Sequence, residues 1–223
     1  MKEREVMTTA DGSVTIAIPE LNVTYHSKHG AIQESMHVFI EAGLRPLLHR
    51  QEAIAIFEMG FGTGLNALLT FVEATKHLQK INYHTVEAFP LEKEIVEQLN
   101  YCEQLQQPEL KPLFDELHTS PWNEAIHLNP WFTIQKNHTS LFNLSTTQPV
   151  NLIYYDAFAP AAQPELWTAE TFTRLFNMLT AGGILVTYCS KGDVRRAMQA
   201  AGFLIEKIPG PPGKREMVRA TKK

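Results

Sequence analysis

The sequence has few of the features that mark secreted, membrane-embedded or metal-binding chains. Its only two cysteines, Cys102 and Cys189, form no Cys-x-x-Cys pair, which argues against a disulfide framework and favours reduced thiols. No apolar run is long enough to cross a bilayer, and the polar N-terminus lacks the pattern of a signal peptide. The nine histidines show no spacing typical of zinc ligands. We therefore expect a cytoplasmic protein with no membrane segment and no metal.

An excess of positive charge is also absent from the chain as a whole. The formal net charge of −4 argues against a generally basic nucleic-acid-binding protein. The charge is unevenly distributed, however: residues 191–223 carry nine lysines and arginines against three acidic residues, a net charge of +6 on a remainder of −10. Such a basic end can be a phosphate-binding face or simply a solvated surface, and composition leaves both readings open.

The chain does contain a regular alternation of strand and helix patterns. Such alternation predicts an α/β fold with a doubly wound, mainly parallel sheet. We expect seven strands, one of them antiparallel near the C-terminal edge, behind a small lead-in over residues 1–50 that holds a short hairpin (13–18 with 22–25) and a helix (33–48). The predicted strands are 53–59, 81–88, 131–136, 150–155, 184–189, 203–208 and 215–220, and the predicted helices are 65–77, 91–105, 108–120, 168–179 and 192–201.

A glycine loop stands between the first of these strands and its helix. Gly60, Gly62 and Gly64 form the spacing Gly-x-Gly-x-Gly within the stretch FEMGFGTGLN. Glycines let the backbone turn sharply and approach a ligand closely, so the position of this loop indicates a cofactor site. The alternative is a glycine turn that serves only to pack the helix on the strand.

Two acidic residues accompany the loop and bear on which cofactor it holds. Glu58 lies on the strand just before the first glycine, and Glu87 ends the second strand, where an acid can hold ribose hydroxyls. A dinucleotide would place its pyrophosphate on the helix N-terminus. S-adenosylmethionine (SAM) instead carries an ammonium group, so an acid close to the loop favours SAM over NAD.

A third acid, Asp156, ends the apolar strand pattern over 150–155 and is followed by Phe158 and Pro160. Ligands in open α/β sheets bind beyond the carboxyl ends of the strands, so Asp156 should lie on the same rim as the glycine loop. An alkyl ammonium, with a pKa of about 10 like that of lysine, must lose a proton before it attacks a methyl group. A carboxylate can accept its N–H groups and aim the lone pair, while Phe158 covers the methyl group or stacks on a base. The alternative is that Asp156 caps the following turn.

Taken together, these residues resemble the methyltransferase domain of the MnmC family, bacterial enzymes that methylate 5-aminomethyl-2-thiouridine at the tRNA wobble position. The resemblance extends over about residues 25–220. It rests on the stretches YHSKHGAIQESMHVFIEAGL, FEMGFGTGLN, VEAFPL, DAFAPAAQPELWT and GGILVTYCSKGDVRRAMQAAGFLIEKIPGPPGKREM. It implies a Rossmann-like class I SAM-dependent methyltransferase domain over residues 51–223, with SAM as cofactor and the anticodon region of tRNA as partner.

The resemblance also implies roles for single residues. Asp156 would be the catalytic residue between methyl donor and target amine, and it would also contact the cofactor. Thr139 would stand near the adenine, where related sequences often have an acid. Further cofactor contacts would come from Glu58, Gly60, Phe61, Gly62, Thr63, Gly64, Asn66, Glu87 and Ala88, and from Tyr25, Ser27 and Phe39 of the lead-in. Substrate contacts would come from Glu34, Phe158, Lys214 and Arg215.

Fused members of the family also carry a flavin-dependent oxidase domain, for which this chain has no second glycine motif. We therefore expect a stand-alone N-methyltransferase that converts 5-aminomethyl(-2-thio)uridine to 5-methylaminomethyl(-2-thio)uridine. Three alternatives stay open: a SAM-dependent enzyme acting on a small-molecule amine, an NAD-dependent oxidoreductase, and a binding module without catalysis. The oligomeric state, the tRNAs used and the thiolation of the uridine are left undetermined by the sequence.

Overall fold

The computed structural model describes residues 3–145 and 148–223. Within them the strands are β1 (Glu5–Thr8), β2 (Val14–Ile18), β3 (Val23–Thr24), β4 (Ala53–Met59), β5 (Lys80–Glu87), β6 (Ala125–Asn129), β7 (Phe132–His138), β8 (Val150–Tyr155), β9 (Leu179–Thr187), β10 (Leu204–Pro209) and β11 (Glu216–Thr221). The α-helices are α1 (Ala31–Ser35), α2 (Leu65–His77), α3 (Lys93–Val96), α4 (Tyr101–Gln104), α5 (Lys111–Thr119), α6 (Ala169–Met178) and α7 (Gly192–Ala200). Helix α1 runs on into π-helical turns over Met36–Leu44 and a 3-10 turn over Arg45–Leu47.

The central sheet has the order β10-β11-β9-β8-β4-β5-β7-β6. Strands β9, β8, β4, β5 and β7 are parallel, which confirms the predicted Rossmann-like α/β class. The predicted count needs correction, because the described residues form eight strands in this sheet, of which β6 and β11 run antiparallel to their neighbours. Strand β6 has no fully buried residue. Such an edge strand lacks the apolar pattern by which a core strand is recognised.

Successive residues of a strand point to opposite faces of a sheet, and β8 shows how the two faces are covered. Leu152 and Tyr154 belong to a core cluster that also contains Phe39, Leu68 and Phe114, from the lead-in helix, α2 and α5. Ile153 and Tyr155 belong to a second cluster, formed with α6 and α7. Both faces are therefore buried, and the carboxyl ends of the strands are left as the place where a ligand can enter.

Two elements differ from the prediction. The helix predicted over 91–105 is broken into α3 and α4 around Asn100, whose side chain accepts from Val14 N (3.0 Å) and donates to Gly12 O (3.0 Å). This tie to the lead-in overrides local helix propensity. Strand β9 begins at Leu179 rather than at residue 184, because Gly182 and Gly183 exchange backbone hydrogen bonds with Lys222 and so continue the strand.

The lead-in packs directly on the sheet. The predicted hairpin is present as β2 and β3, and β1 adds a third, unpredicted strand to this small antiparallel sheet. Val14 and Ile16 are buried in the core cluster on that face. None of the described helices is both long and apolar enough to span a membrane.

Candidate functional site

A cavity of about 590 Å³ opens at the carboxyl ends of β4, β5, β7 and β8. Its wall includes the loop that follows β4, the residues that follow β5 and β7, and the segment that follows β8. The lead-in supplies the remaining side, with Arg4, Tyr25 and His26. The carboxyl ends of these strands therefore meet, as predicted, at a cavity on this rim, where ligands of parallel sheets commonly bind.

The glycine loop forms one wall of the cavity. Gly60, Gly62 and Gly64 have φ values of +90°, +51° and +72°, a backbone region that side-chain-bearing residues rarely adopt. A Cβ placed on Gly60 would meet, among the described atoms, only Asp156 O at 3.6 Å. The backbone at Gly60 is therefore bare toward the cavity, so a ligand can approach it closely.

Glu87, at the end of β5, is held in the cavity wall by two backbone donors. Its Oε2 accepts a hydrogen bond from Gly62 N (3.0 Å) and its Oε1 accepts one from Phe89 N (2.8 Å). Each carboxylate oxygen has more than one lone pair and so retains acceptor capacity. This fixed, partly unsatisfied carboxylate suits a pair of ribose hydroxyls.

Asp156, half-buried in the cavity wall, is oriented by the first turn of α2. Its Oδ2 accepts a hydrogen bond from Asn66 Nδ2 at 3.0 Å. Burial and the nearby Glu34 carboxylate raise the pKa of Asp156 to about 7, against the opposing effects of Asn66 and Lys214. A carboxyl group with a pKa close to neutral can exchange a proton with a bound amine at working pH.

The segment after Asp156 is fixed by side chains from elsewhere in the fold. Phe158 N donates to Gln163 Oε1 (3.0 Å), and Trp167 Nε1 donates to Phe158 O (2.8 Å). Tyr188 OH donates to Ala157 O (2.8 Å). The Phe158 ring packs edge-on against Tyr25, with 5.1 Å between centroids. The proline-containing turn thus holds the Phe158 ring beside the Asp156 carboxyl group, and Tyr25 of the lead-in packs against that ring.

The structure brings together most of the residues named from sequence. The predicted residues that line the cavity are Tyr25, Gly60, Phe61, Gly62, Thr63, Asn66, Glu87, Ala88, Thr139, Asp156 and Phe158. Glu58 lies fully buried beneath the cavity rather than in its wall. Gly64 is also outside the wall, since a Cβ there would meet His118 and Phe61.

The other predicted residues are not part of the cavity wall. Phe39 is in the core against Tyr154, with 5.2 Å between centroids, and so does not reach a ligand in the cavity. Glu34 accepts from Ser27 N (2.6 Å) and from Lys214 Nζ (2.6 Å), so these three residues form a tie between the lead-in and the β10–β11 turn. Arg215 is exposed on that turn.

Sequence reasoning missed several wall residues. Phe89 and Phe142 are largely exposed aromatic side chains in the cavity wall, and their positions just after strand ends could have revealed them. Arg4 binds Phe89 O (2.7 Å) and Glu92 Oε2 (2.7 Å), an interaction that no local pattern signals. His26 Nε2 lies 2.8 Å from Thr63 Oγ1 of the glycine loop. Because burial lowers the pKa of His26 to about 4, the imidazole that contacts the loop is neutral at pH 7.

These features fit SAM. The bare glycine backbone can receive the amino-acid end of SAM, and the fixed Glu87 carboxylate can bind its ribose. The apolar wall suits its adenine. Fold and site together define a Rossmann-like methyltransferase. A family model described as S-adenosyl-L-methionine-dependent methyltransferase matches residues 94–223, more than half of the chain. The chain belongs to this family and uses SAM as its cofactor.

Two curated relatives are similar over most of this chain. Each is a tRNA 5-methylaminomethyl-2-thiouridine biosynthesis bifunctional protein MnmC. The protein from Aromatoleum aromaticum is 35% identical over 210 residues, which cover 87% of this chain and 32% of the relative. The protein from Nitrosospira multiformis is 32% identical over 210 residues, covering 87% and 33%. The chain thus spans about a third of the length of the curated relatives it matches.

Solved structures support the fold. MnmC2 from Aquifex aeolicus matches with a TM-score of 0.79 at 23% identity, covering 100% of this chain and 71% of that one. Spermidine synthase from Thermotoga maritima matches with a TM-score of 0.54 at 11% identity, covering 98% and 68%. At these identities the similarity establishes the fold and nothing further.

Proposed function

We propose that this chain methylates the primary amine of 5-aminomethyl(-2-thio)uridine at the wobble position of tRNA. The observation that carries the proposal is the Asp156 carboxyl group, held by Asn66 beside the glycine loop that receives the cofactor. The substrate is suggested by the two curated relatives, which are named for the biosynthesis of tRNA 5-methylaminomethyl-2-thiouridine.

The chemistry requires a neutral amine. When bound, SAM supplies a methyl group on a sulfonium, and its transfer to an amine releases one proton and leaves a neutral thioether. Asp156 accepts hydrogen bonds from the amine, directs its lone pair toward the methyl group and takes up the released proton. Alignment supplies much of the rate in such a reaction, and the raised pKa of Asp156 matches the group to neutral pH.

The cofactor would be held by this chain's own fixed groups. Glu87 would bind the ribose hydroxyls, and the backbone of Gly60 and Gly62 would carry the amino-acid end. Phe89 and Phe142 would cover the adenine, with Thr139 beside it. Phe158 and Tyr25 would cover the reacting amine and exclude water from it.

Fewer cations are available to bind RNA than the basic C-terminal segment suggests, because many of the lysines and arginines of that segment already form ion pairs. Lys207 pairs with Glu216 (2.9 Å), Arg219 with Glu206 (2.7 Å), Arg196 with Asp193, and Lys214 with the buried Glu34 (2.6 Å). Lys191 and Arg215 are exposed, and neither forms an ion pair within residues 3–145 and 148–223. Lys191 follows β9, which lies next to β8, the strand that ends just before Asp156. We therefore assign phosphate binding to Lys191 and Arg215.

Methyl transfer from labelled SAM to bulk tRNA, at several salt concentrations, tests this assignment. In Lys191→Gln/Arg215→Gln, tRNA affinity should fall, and the slope of log affinity against log salt should decrease by about two, since each phosphate that is no longer neutralised changes it by about one. Lys80→Gln is the matched control, since Lys80 begins β5 at the opposite end of the sheet. Salt-independent methylation of small alkylamines in place of tRNA would favour the small-molecule alternative.

A further inference from the structure

A cluster of buried polar atoms lies beneath the cavity, and of its residues only Asn66, through its Nδ2, takes part in the function described so far. We call it the Glu58 cluster; it comprises Glu58, Asn66, Tyr83 and Thr85. Glu58 sits on β4, and its register partner on β5 is Thr85. Both carboxyl oxygens of Glu58, Asn66 Oδ1, Tyr83 OH and Thr85 Oγ1 are buried without a hydrogen bond of normal geometry among the described residues. Five such atoms in one place require a physical explanation, because buried polar groups are normally paired.

Neighbouring groups surround Glu58 on every side. Tyr83 and Thr85 approach it from β5, Asn66 from α2, Tyr154 from β8, and Asp156 from just after β8. No lysine or arginine in the described part of the chain forms an ion pair with it. An ionised carboxylate here would be buried without a counter-charge, which is strongly unfavourable.

Counting donors and acceptors indicates which protonation state fits. With Glu58 ionised, the cluster holds three acceptor-only oxygens, two on Glu58 and one on Asn66, and only the hydroxyls of Tyr83 and Thr85 as donors. With Glu58 protonated, its own O–H becomes the third donor. The neutral acid therefore lets the cluster be satisfied by small hydroxyl and carboxyl rotations.

The orientation of Asn66 connects this cluster to Asp156. The amide donates from Nδ2 to Asp156 Oδ2 (3.0 Å), which directs Oδ1 away from Asp156 and leaves it buried. We propose that Glu58 is held as a neutral acid and acts as a positioning residue: it donates a hydrogen bond to Asn66 Oδ1 and so keeps Asn66 Nδ2 pointed at Asp156. A flipped amide would face the Asp156 carboxylate with its own oxygen and repel it.

The electrostatics of the site agree with this assignment. Burial, with a smaller contribution from the Asp156 carboxylate, raises the pKa of Glu58 to about 8, against partial hydrogen bonding from Thr85, Asn66 and Tyr83. The sequence predicts a different role for Glu58, a direct contact with the cofactor as an anion. Full burial outside the cavity wall favours action through Asn66 instead. The effect of Glu58 on turnover rests on the proposed role of Asp156, whereas the protonation state of Glu58 does not.

The first test is a titration of the cofactor-free protein labelled with 13C at the glutamate carboxyls. One glutamate should titrate near pH 8, and its signal should be missing from Glu58→Gln. Glu73→Gln is the matched control, because Glu73 is buried on α2 but paired with Arg45, which lowers its pKa. That variant should keep the high-pH signal. A Glu58 carboxyl that titrates near its ordinary value would overturn the proposal.

The second test compares pH–rate profiles. Glu58→Gln keeps a donor for Asn66 Oδ1, so at pH 7 its kcat should stay within about threefold of the unmodified chain. It should also retain activity above pH 8, where the parent declines as Glu58 ionises. Glu58→Met removes the donor and should lower kcat about tenfold or more, by the loss of one hydrogen bond to a buried group. If Glu58→Gln instead loses SAM affinity, Glu58 contacts the cofactor as an anion and the proposal fails.

The two tests separate this inference from the proposed function. A tRNA that is not methylated would contradict the substrate assignment but leave the carboxyl titration unchanged. A normal carboxyl titration together with tRNA methylation would reject the neutral acid and keep the reaction.

Discussion

At the level of single residues, the site depends on three carboxyl groups in different surroundings. Glu87 is tied to two backbone N–H groups, Asp156 accepts one hydrogen bond from Asn66, and Glu58 is buried without an ion-pair partner among the described residues. Environment therefore suits Glu87 to binding, Asp156 to proton exchange and Glu58 to positioning. Such a division of roles by environment is common where acids share one site.

Asp156→Asn should lower kcat by about two to four orders of magnitude, because the amide cannot accept the amine's proton. In the parent chain kcat/KM should rise with pH through about 7, the raised pKa of Asp156. A pH–rate profile of both proteins provides the measurement. A rising limb that persists unchanged in Asp156→Asn would remove Asp156 from the mechanism.

Stability provides the control for this variant. A raised pKa means that folded Asp156 binds its proton more tightly than unfolded Asp156, so its contribution to stability declines as pH rises toward and through 7. At pH 8 the free energy of unfolding of Asp156→Asn should therefore exceed that of the parent by about 1 kcal/mol, after allowance for partial exposure. Chemical denaturation then shows that lost activity is not lost folding.

The positions of site residues could be predicted from sequence where they depend on strand ends. Asp156 and Glu87 are placed by the rule that parallel strands present their carboxyl ends to one rim, and both line the cavity. Phe39 could not be placed this way, since its helical spacing does not say which buried neighbours it meets. Arg4 gives no signal at all, because only the folded lead-in brings it to the β5–α3 loop.

At the level of secondary-structure elements, the glycine loop is the part most sensitive to a small change. Gly60 has a φ of +90° and faces the cavity, whereas Gly182, with a φ of +75°, lies in β9 far from it, where an added Cβ would have no described atom within 4 Å. The two glycines thus share a backbone constraint and differ in what they face.

Gly60→Ala and its control Gly182→Ala should each lose about 1 kcal/mol or more of unfolding free energy, from the strain of a side chain at positive φ. Only Gly60→Ala should weaken SAM binding, because its methyl group enters the cavity. Calorimetric titration with SAM, alongside denaturation, tests both statements. Equal SAM affinity in the two variants would mean that the loop does not receive the cofactor.

The main elements could be predicted from periodicity, but their ends and edges could not. The strands β4 and β8 are mainly apolar, and β5 alternates apolar with polar residues; all three occur where expected. The edge strand β6 has no fully buried residue and so no apolar run to mark it, and the break at Asn100 depends on residues distant in sequence. Such tertiary ties overrule the local pattern from which the prediction is made.

Across the molecule as a whole, the exposed cations Lys191 and Arg215 and the cavity lie at the same rim, the carboxyl ends of the parallel strands. The net charge of −4 does not attract a polyanion, so the proposed RNA binding would rest on a few placed cations. The tie between Glu34 and Lys214 joins the lead-in to the β10–β11 turn, next to exposed Arg215. The molecule therefore presents the cavity that we propose for the cofactor beside a small cationic surface.

The decisive experiment for the proposed reaction is methylation, with labelled SAM, of tRNA lacking the final wobble methyl group, followed by digestion and nucleoside analysis. We expect label in 5-methylaminomethyluridine or its 2-thio form, and none with Asp156→Asn. Label in another nucleoside, or no label in tRNA while SAM still binds, would contradict the wobble amine as the substrate.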